Sequence, residues 1–109
     1  MEMPLTIVSR NLTLDEAVEG HIRERAERLN HFHGRILGCR VVVEGPGPHH
    51  KQGPLKVAVE LKVPGPNIRV NRQADEDLFL AIREAFDAAG RRLEDSVRRR
   101  RGFVKAHEG

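Results

Sequence analysis

Leu55-Lys56-Val57-Ala58-Val59-Glu60-Leu61-Lys62-Val63 is the stretch that decides how this chain folds. Leu55, Val57, Val59 and Leu61 alternate with Lys56, Ala58, Glu60 and Lys62. A period of two sends successive side chains to opposite faces of a strand, so this strand has one apolar face and one face for water. A sheet that is apolar on one side needs one covering layer. The rest of the chain must supply the neighbouring strands and that cover.

The neighbours lie on both sides. Pro64-Gly65-Pro66-Asn67 predicts a tight turn, and Ile68 to Arg72 follows as a strand with Ile68 and Val70 inward and Arg69 outward. Upstream, Ile36 to Glu44 contains Val41-Val42-Val43, a strongly β-prone run. Between these strands, Gly45 to Pro54 interleaves glycine and proline, which excludes helix and central strand and predicts a hairpin loop. Leu5 to Ser9 is a further short β-rich run, followed by a turn at Asn11-Leu12.

The cover is two amphipathic helices. Thr13-Leu14-Asp15-Glu16 has the form of a capping box, with Thr13 as N-cap and Glu16 reaching back. The first helix then runs to about Leu29 or Asn30, with a stripe of Leu14, Val18, Ile22, Ala26 and Leu29. His31-Phe32-His33-Gly34 ends it, Gly34 being the left-handed stop. The second helix is capped at Asp75 or its neighbour. Its apolar residues Leu78, Ile82, Ala85, Phe86, Ala89, Leu93 and Val97 recur at spacings of three and four. They form a stripe of roughly 120° on a helical wheel. The opposite face carries Arg83, Asp87, Arg91, Glu94 and Arg98.

The resulting order is β-α-β-β-β-α. It predicts an α+β two-layer sandwich: a four-stranded sheet with two helices on one face. Three strands joined by hairpins form an antiparallel meander, and the first strand pairs at its side. The order also occurs in double-stranded RNA-binding domains, so the fold is of that kind, but order does not name a function. Residues 1–101 are expected to form one domain and 102–109 a flexible tail. Arg100 would project from the apolar stripe if the second helix continued, which places the end of the packed helix there.

Composition narrows the function. The 109 residues have a net charge of +3, and of nineteen basic side chains four are Lys and the rest Arg. Guanidinium forks suit phosphate and stack on bases, which favours a nucleic-acid partner. Only four Phe and no Trp or Tyr are present, so the core must be aliphatic. Cys39 is alone and can form no internal disulfide; on a strand it acts as a small buried hydrophobe. No apolar run is long enough for a membrane span or a signal peptide, and the expectation is a cytoplasmic protein without a membrane partner.

No enzyme is indicated. The chain offers no nucleophile with a base, no paired carboxylates and no glycine-rich loop between strand and helix. His31 and His33, with His49 and His50, lack the Cys or carboxylate partners at ligand spacing that a zinc site needs, and they read as loop histidines. Neither a metal, a cofactor nor a small-molecule substrate is expected, and the state expected is a monomer.

The arginines are the one chemical theme. Arg25, Arg28 and Arg35 fall on or just after the first helix, Arg69 and Arg72 on the last strand, and Arg83, Arg91, Arg92, Arg98, Arg99, Arg100 and Arg101 on the second helix. The plain reading of any one is a solvated face with Glu24, Glu27, Glu84, Asp87 or Glu94 as partner. As a set they predict a phosphate-binding surface, with Arg25, Arg28, Arg72, Arg83, Arg91, Arg92, Arg98, Arg99 and Arg101 as the RNA-binding residues. No aromatic falls on the wet face of a strand, so base stacking of the RRM kind is not expected. Contacts to backbone and shape are expected instead.

Asp77-Leu78-Phe79, Ala81-Ile82, Ala85 and Asp87, followed by Arg91 and Leu93, resemble the second helix of the ribosome hibernation-promoting factors. These are also called ribosome-associated translation inhibitors or sigma-54 modulation proteins. The resemblance, to the family's short form, covers nearly all of Met3 to Arg101. It includes Thr13, the apolar series to Leu29, the basic Arg25 and Arg28, and the aromatic Phe32. The resemblance implies the same strand and helix order. It also implies binding to rRNA of the small ribosomal subunit in the channel between subunits. There the protein would block tRNA and mRNA sites and silence idle ribosomes. Two residues depart from the pattern. Ala88 stands where the family often has Lys, a lost cation for which Arg92 would compensate. Gly90 interrupts the helix at a cost of about 1 kcal/mol relative to Ala. The alternative is a general structured-RNA-binding or protein-interaction module with no role in translation.

Overall fold

The computed structural model describes the backbone of residues 3–46, 53–74 and 77–108, and the side chains of 3–46, 53–73 and 77–99. In chain order the elements are β1 (Leu5–Arg10), α1 (Glu16–His33), β2 (Gly38–Glu44), β3 (Leu55–Lys62), β4 (Ile68–Ala74) and α2 (Leu78–Glu108). This is the expected α+β sandwich in the expected order.

The strands lie side by side as β1-β2-β3-β4. β1 is parallel to β2, and the other pairs are antiparallel. A parallel pair needs a crossover, and α1 is that crossover. Ile7, Val41, Val59 and Val70 stand in register as one row across the sheet. Val41 and Val59 have no exposed surface. α2 lies over β3 and β4, and α1 packs beside it towards β1. Ile22 of α1 and Ile82 of α2 are fully buried in the same core cluster, with Val57 and Leu61.

The start of α1 differs from the sequence expectation. Asp15, not Thr13, is the N-cap: its backbone is extended, and its side-chain oxygen accepts from the Val18 N–H at 2.9 Å. The Asp15 carbonyl takes the first helical bond, from the Glu19 N–H at 3.1 Å. A cap must have extended backbone directly before the first helical turn, and that turn starts at Glu16, beyond the reach of Thr13. Glu16 and Glu19 in the first turn suit the helix dipole. The helix runs on to His33 and stops as expected at Gly34, whose φ is 64° and whose N–H donates to the Asn30 carbonyl at 2.8 Å.

α2 is capped by Asp77, which accepts from the Leu80 N–H at 3.0 Å; Asp75 lies outside the described residues. α2 continues to Glu108, through the segment expected to be a tail. Its 31 residues span about 46 Å at the helical rise, twice the length of a seven-residue strand. The molecule is accordingly 57 Å in its long dimension and 28 Å in the next.

Gly45, expected to open the hairpin loop, is tied to the end of β1. It is buried, its N–H donates to the Arg10 carbonyl at 2.8 Å, and a Cβ there would lie 2.8 Å from the Asn11 carbonyl oxygen. Asn11 itself turns the chain at φ 60°, a left-handed position that Asn tolerates. The hairpin thus leaves the sheet after Gly45. Residues 47–52, with His49 and His50, lie outside the described residues.

Candidate nucleic-acid interface

The helices meet at Gly90. A Cβ there would stand 3.3 Å from Leu29 Cδ1 and 3.9 Å from His33 Nε2, so the missing side chain is what lets α2 approach α1. Above this contact runs a groove lined by Arg25, Arg28 and Phe32 from α1 and by Asp87, Arg91 and Glu94 from α2. Arg28 and Arg91 are exposed and Arg25 half-buried. Arg28 holds Glu24 at 3.4 Å, one helical turn back. Both side chains are largely solvated, so the pair binds Arg28 weakly and leaves its charge available.

The expected binding residues fall into two groups. Arg25, Arg28 and Arg91 share the helix groove. Arg83 is exposed one turn before Asp87 on the same ridge of α2. Arg98 lines an adjoining groove with Phe32 and Arg35, and Arg99 is exposed. Arg92 stands apart. Its guanidinium donates to the Arg69 carbonyl, which draws it over β4. Arg72 is half-buried on β4, and its guanidinium donates to the Asn71 carbonyl at 2.9 Å. Arg91 and Arg92 are neighbours in sequence but about 100° apart around the helix, and they serve different faces. Arg101 lies on α2, and its side chain is outside the described residues.

Ala88 has a structural reading of its own. It is buried, one turn from Ala85 and on the side of α2 that carries Arg92. Its methyl belongs to the buried core cluster. The sequence reading also passed over the open face of the sheet. There Arg10, Arg40, Lys56 and Arg69 line a shallow basic depression, with Glu44 and Glu60 among them. Arg69 is tied to Glu60 at 3.1 Å. Strand alternation puts each of these side chains on the open face, and the register of the sheet brings them together.

Cys39 is buried, and burial pushes its thiol up to about 12, so it stays protonated and inert at neutral pH. Among the described residues no helix is long and apolar enough to cross a membrane. Among them, too, no three of His, Cys, Asp and Glu gather as metal ligands.

Residues 5–101 match the family described as sigma 54 modulation protein / S30EA ribosomal protein. The chain belongs to this family. The fold recurs in solved structures. The N-terminal domain of Protein Y from Thermus thermophilus is similar over 87% of this chain and 98% of its own, with 23% identity and a TM-score of 0.69. A ribosomal subunit interface protein from Coxiella burnetii is similar over 86% and 97%, with 14% identity and a TM-score of 0.74. At these identities the likeness is one of fold. No curated protein sequence matches the chain. The resemblance carried by Asp77 to Leu93 is to this same family.

Proposed function

We propose that this protein is a ribosome-associated translation inhibitor. It binds rRNA of the small subunit in the channel between subunits, blocks the tRNA and mRNA sites there, and promotes hibernation of idle ribosomes in the cytoplasm. Family membership over residues 5–101 carries the reading. The names of the two similar structures, Protein Y and a ribosomal subunit interface protein, agree with it.

The groove between α1 and α2 supports the reading as the contact surface. Arg25, Arg28 and Arg91 present guanidinium groups to a polyanion from two helices held at fixed spacing by the Gly90 contact. Each phosphate neutralised releases counterions, so affinity falls steeply as salt rises. Duplex RNA is read by shape and 2′-hydroxyls, so sequence preference is low and the fit to the ribosomal channel sets the target. Inhibition is steric occupancy, which requires no catalytic group.

The test is sedimentation of the protein with small ribosomal subunits through a sucrose gradient, alongside cell-free translation. Cosedimentation that weakens with salt, and loss of translation on addition, are expected. Equal binding to any duplex RNA with translation untouched would replace this reading by that of a general structured-RNA-binding module.

A further inference from the structure

We infer that Phe32 is a stacking platform for one unpaired base of the RNA held along the helix grooves. The inference rests on the RNA-binding reading and adds a contact to bases where only phosphates and shape were expected.

Phe32 is 75% exposed, although it lies three residues after the buried Leu29 and four before the buried Ile36. The other described phenylalanines are less exposed, Phe79 at 45%. Phe86 is core, and Phe79 packs on His21 with ring centroids 5.1 Å apart. Among the described residues the ring paired with Phe32 is that of His31, tilted by 70° at 5.7 Å. Most of the residue's surface is open to solvent. Gly34 stops the helix two residues later, so the backbone beneath the ring is fixed.

Its position gives the exposed ring a partner. Phe32 is common to two adjoining grooves, one carrying Arg25, Arg28 and Arg91, the other Arg35 and Arg98. Glu94 lines both grooves, and Asp87 is the further carboxylate. Five guanidinium groups against two carboxylates favour a polyanion over an apolar protein surface. An exposed aromatic between cationic tracks is how unpaired nucleic acid is bound: the backbone follows the charge and a base stacks on the ring.

The chain has no Trp or Tyr, so Phe32→Trp places a single fluorophore at the site. Titrated with small ribosomal subunits, its emission should be strongly quenched by the stacked base. Phe32→Leu should bind about ten- to a hundredfold more weakly, the range of one lost stacked base. Its salt dependence and thermal melt should match the parent, because no charge and no buried contact is removed. Parental affinity in Phe32→Leu, or binding of Phe32→Trp without quenching, overturns the inference. Brighter, blue-shifted emission would mark burial against a protein and overturns it too. If the parent does not sediment with subunits, the ribosome reading has failed. An unpaired oligoribonucleotide then tests the platform separately: quenching supports it and unquenched binding overturns it, as does the absence of binding.

Discussion

Gly90 of α2 faces Leu29 of α1 so closely that a Cβ would sit 3.3 Å from the Leu29 Cδ1. Read along the helix, Gly90 is a weak helix former; read across it, the residue sets the spacing between two helices. Gly90→Ala gains about 1 kcal/mol of helix propensity, and the tight contact offsets that gain. Denaturant melts should place this variant within about 1 kcal/mol of the parent. Gly90→Leu must push Leu29 aside, and overpacking should cost about 1–3 kcal/mol. It should also weaken ribosome binding, because Arg28 and Arg91 move apart. A Gly90→Leu protein as stable as the parent would show that the helices are not in close contact.

The caps make a second prediction. Asp15→Ala should lower stability by about 1 kcal/mol, since it removes the acceptor for the Val18 N–H. Thr13→Ala should lie within about 0.5 kcal/mol of the parent, as a surface change away from any cap. The pair is read by urea titration, and a larger loss for Thr13→Ala than for Asp15→Ala would restore the capping box.

Cys39 predicts a loss of stability at alkaline pH. In the unfolded chain the thiol ionises near its ordinary value of 9.0, while in the fold burial holds it protonated up to about 12. The stabilisation is therefore complete below pH 9 and is lost as pH rises towards 12, where the unfolded state has released a proton that the native state keeps. The slope is about 1.4 kcal/mol per pH unit for one thiol. The chain has no tyrosine to titrate in the same window, and the lysine contribution cancels against a Cys39→Ala control. Parallel pH profiles for parent and control would refute the assignment.

Arg91 and Arg92 should separate in experiment. Arg92→Ala removes a guanidinium bonded to the Arg69 carbonyl and should cost about 0.5–1 kcal/mol of stability with little effect on ribosome binding. Arg91→Ala should leave the melt unchanged, weaken ribosome binding and reduce its salt slope by about one phosphate contact. Gradient sedimentation at several salt concentrations measures both. If Arg92→Ala proves the more damaging to binding, the RNA follows the β4 edge in place of the helix groove.

The sandwich, the element order and most of the core were determined by the sequence alone. Period-two alternation in Leu55 to Leu61 and three-four spacing in α2 are local patterns, and burying one apolar face allows few arrangements. The family was legible for the same reason, because Asp77 to Leu93 combines the core pattern with its own motif residues. Tertiary structure decided which arginines stand together. Arg91 and Arg92 are adjacent in the chain, yet one enters the groove and the other bonds to β4. It likewise decided that Gly45 packs on Asn11 and that Gly90 admits Leu29. These contacts join residues far apart in sequence, and local periodicity carries no information about distance across elements. The exposure of Phe32 belongs to the same class: an aromatic at a helix end is core or surface according to what packs on it, and only the assembled helices show that nothing covers most of its ring among the described residues.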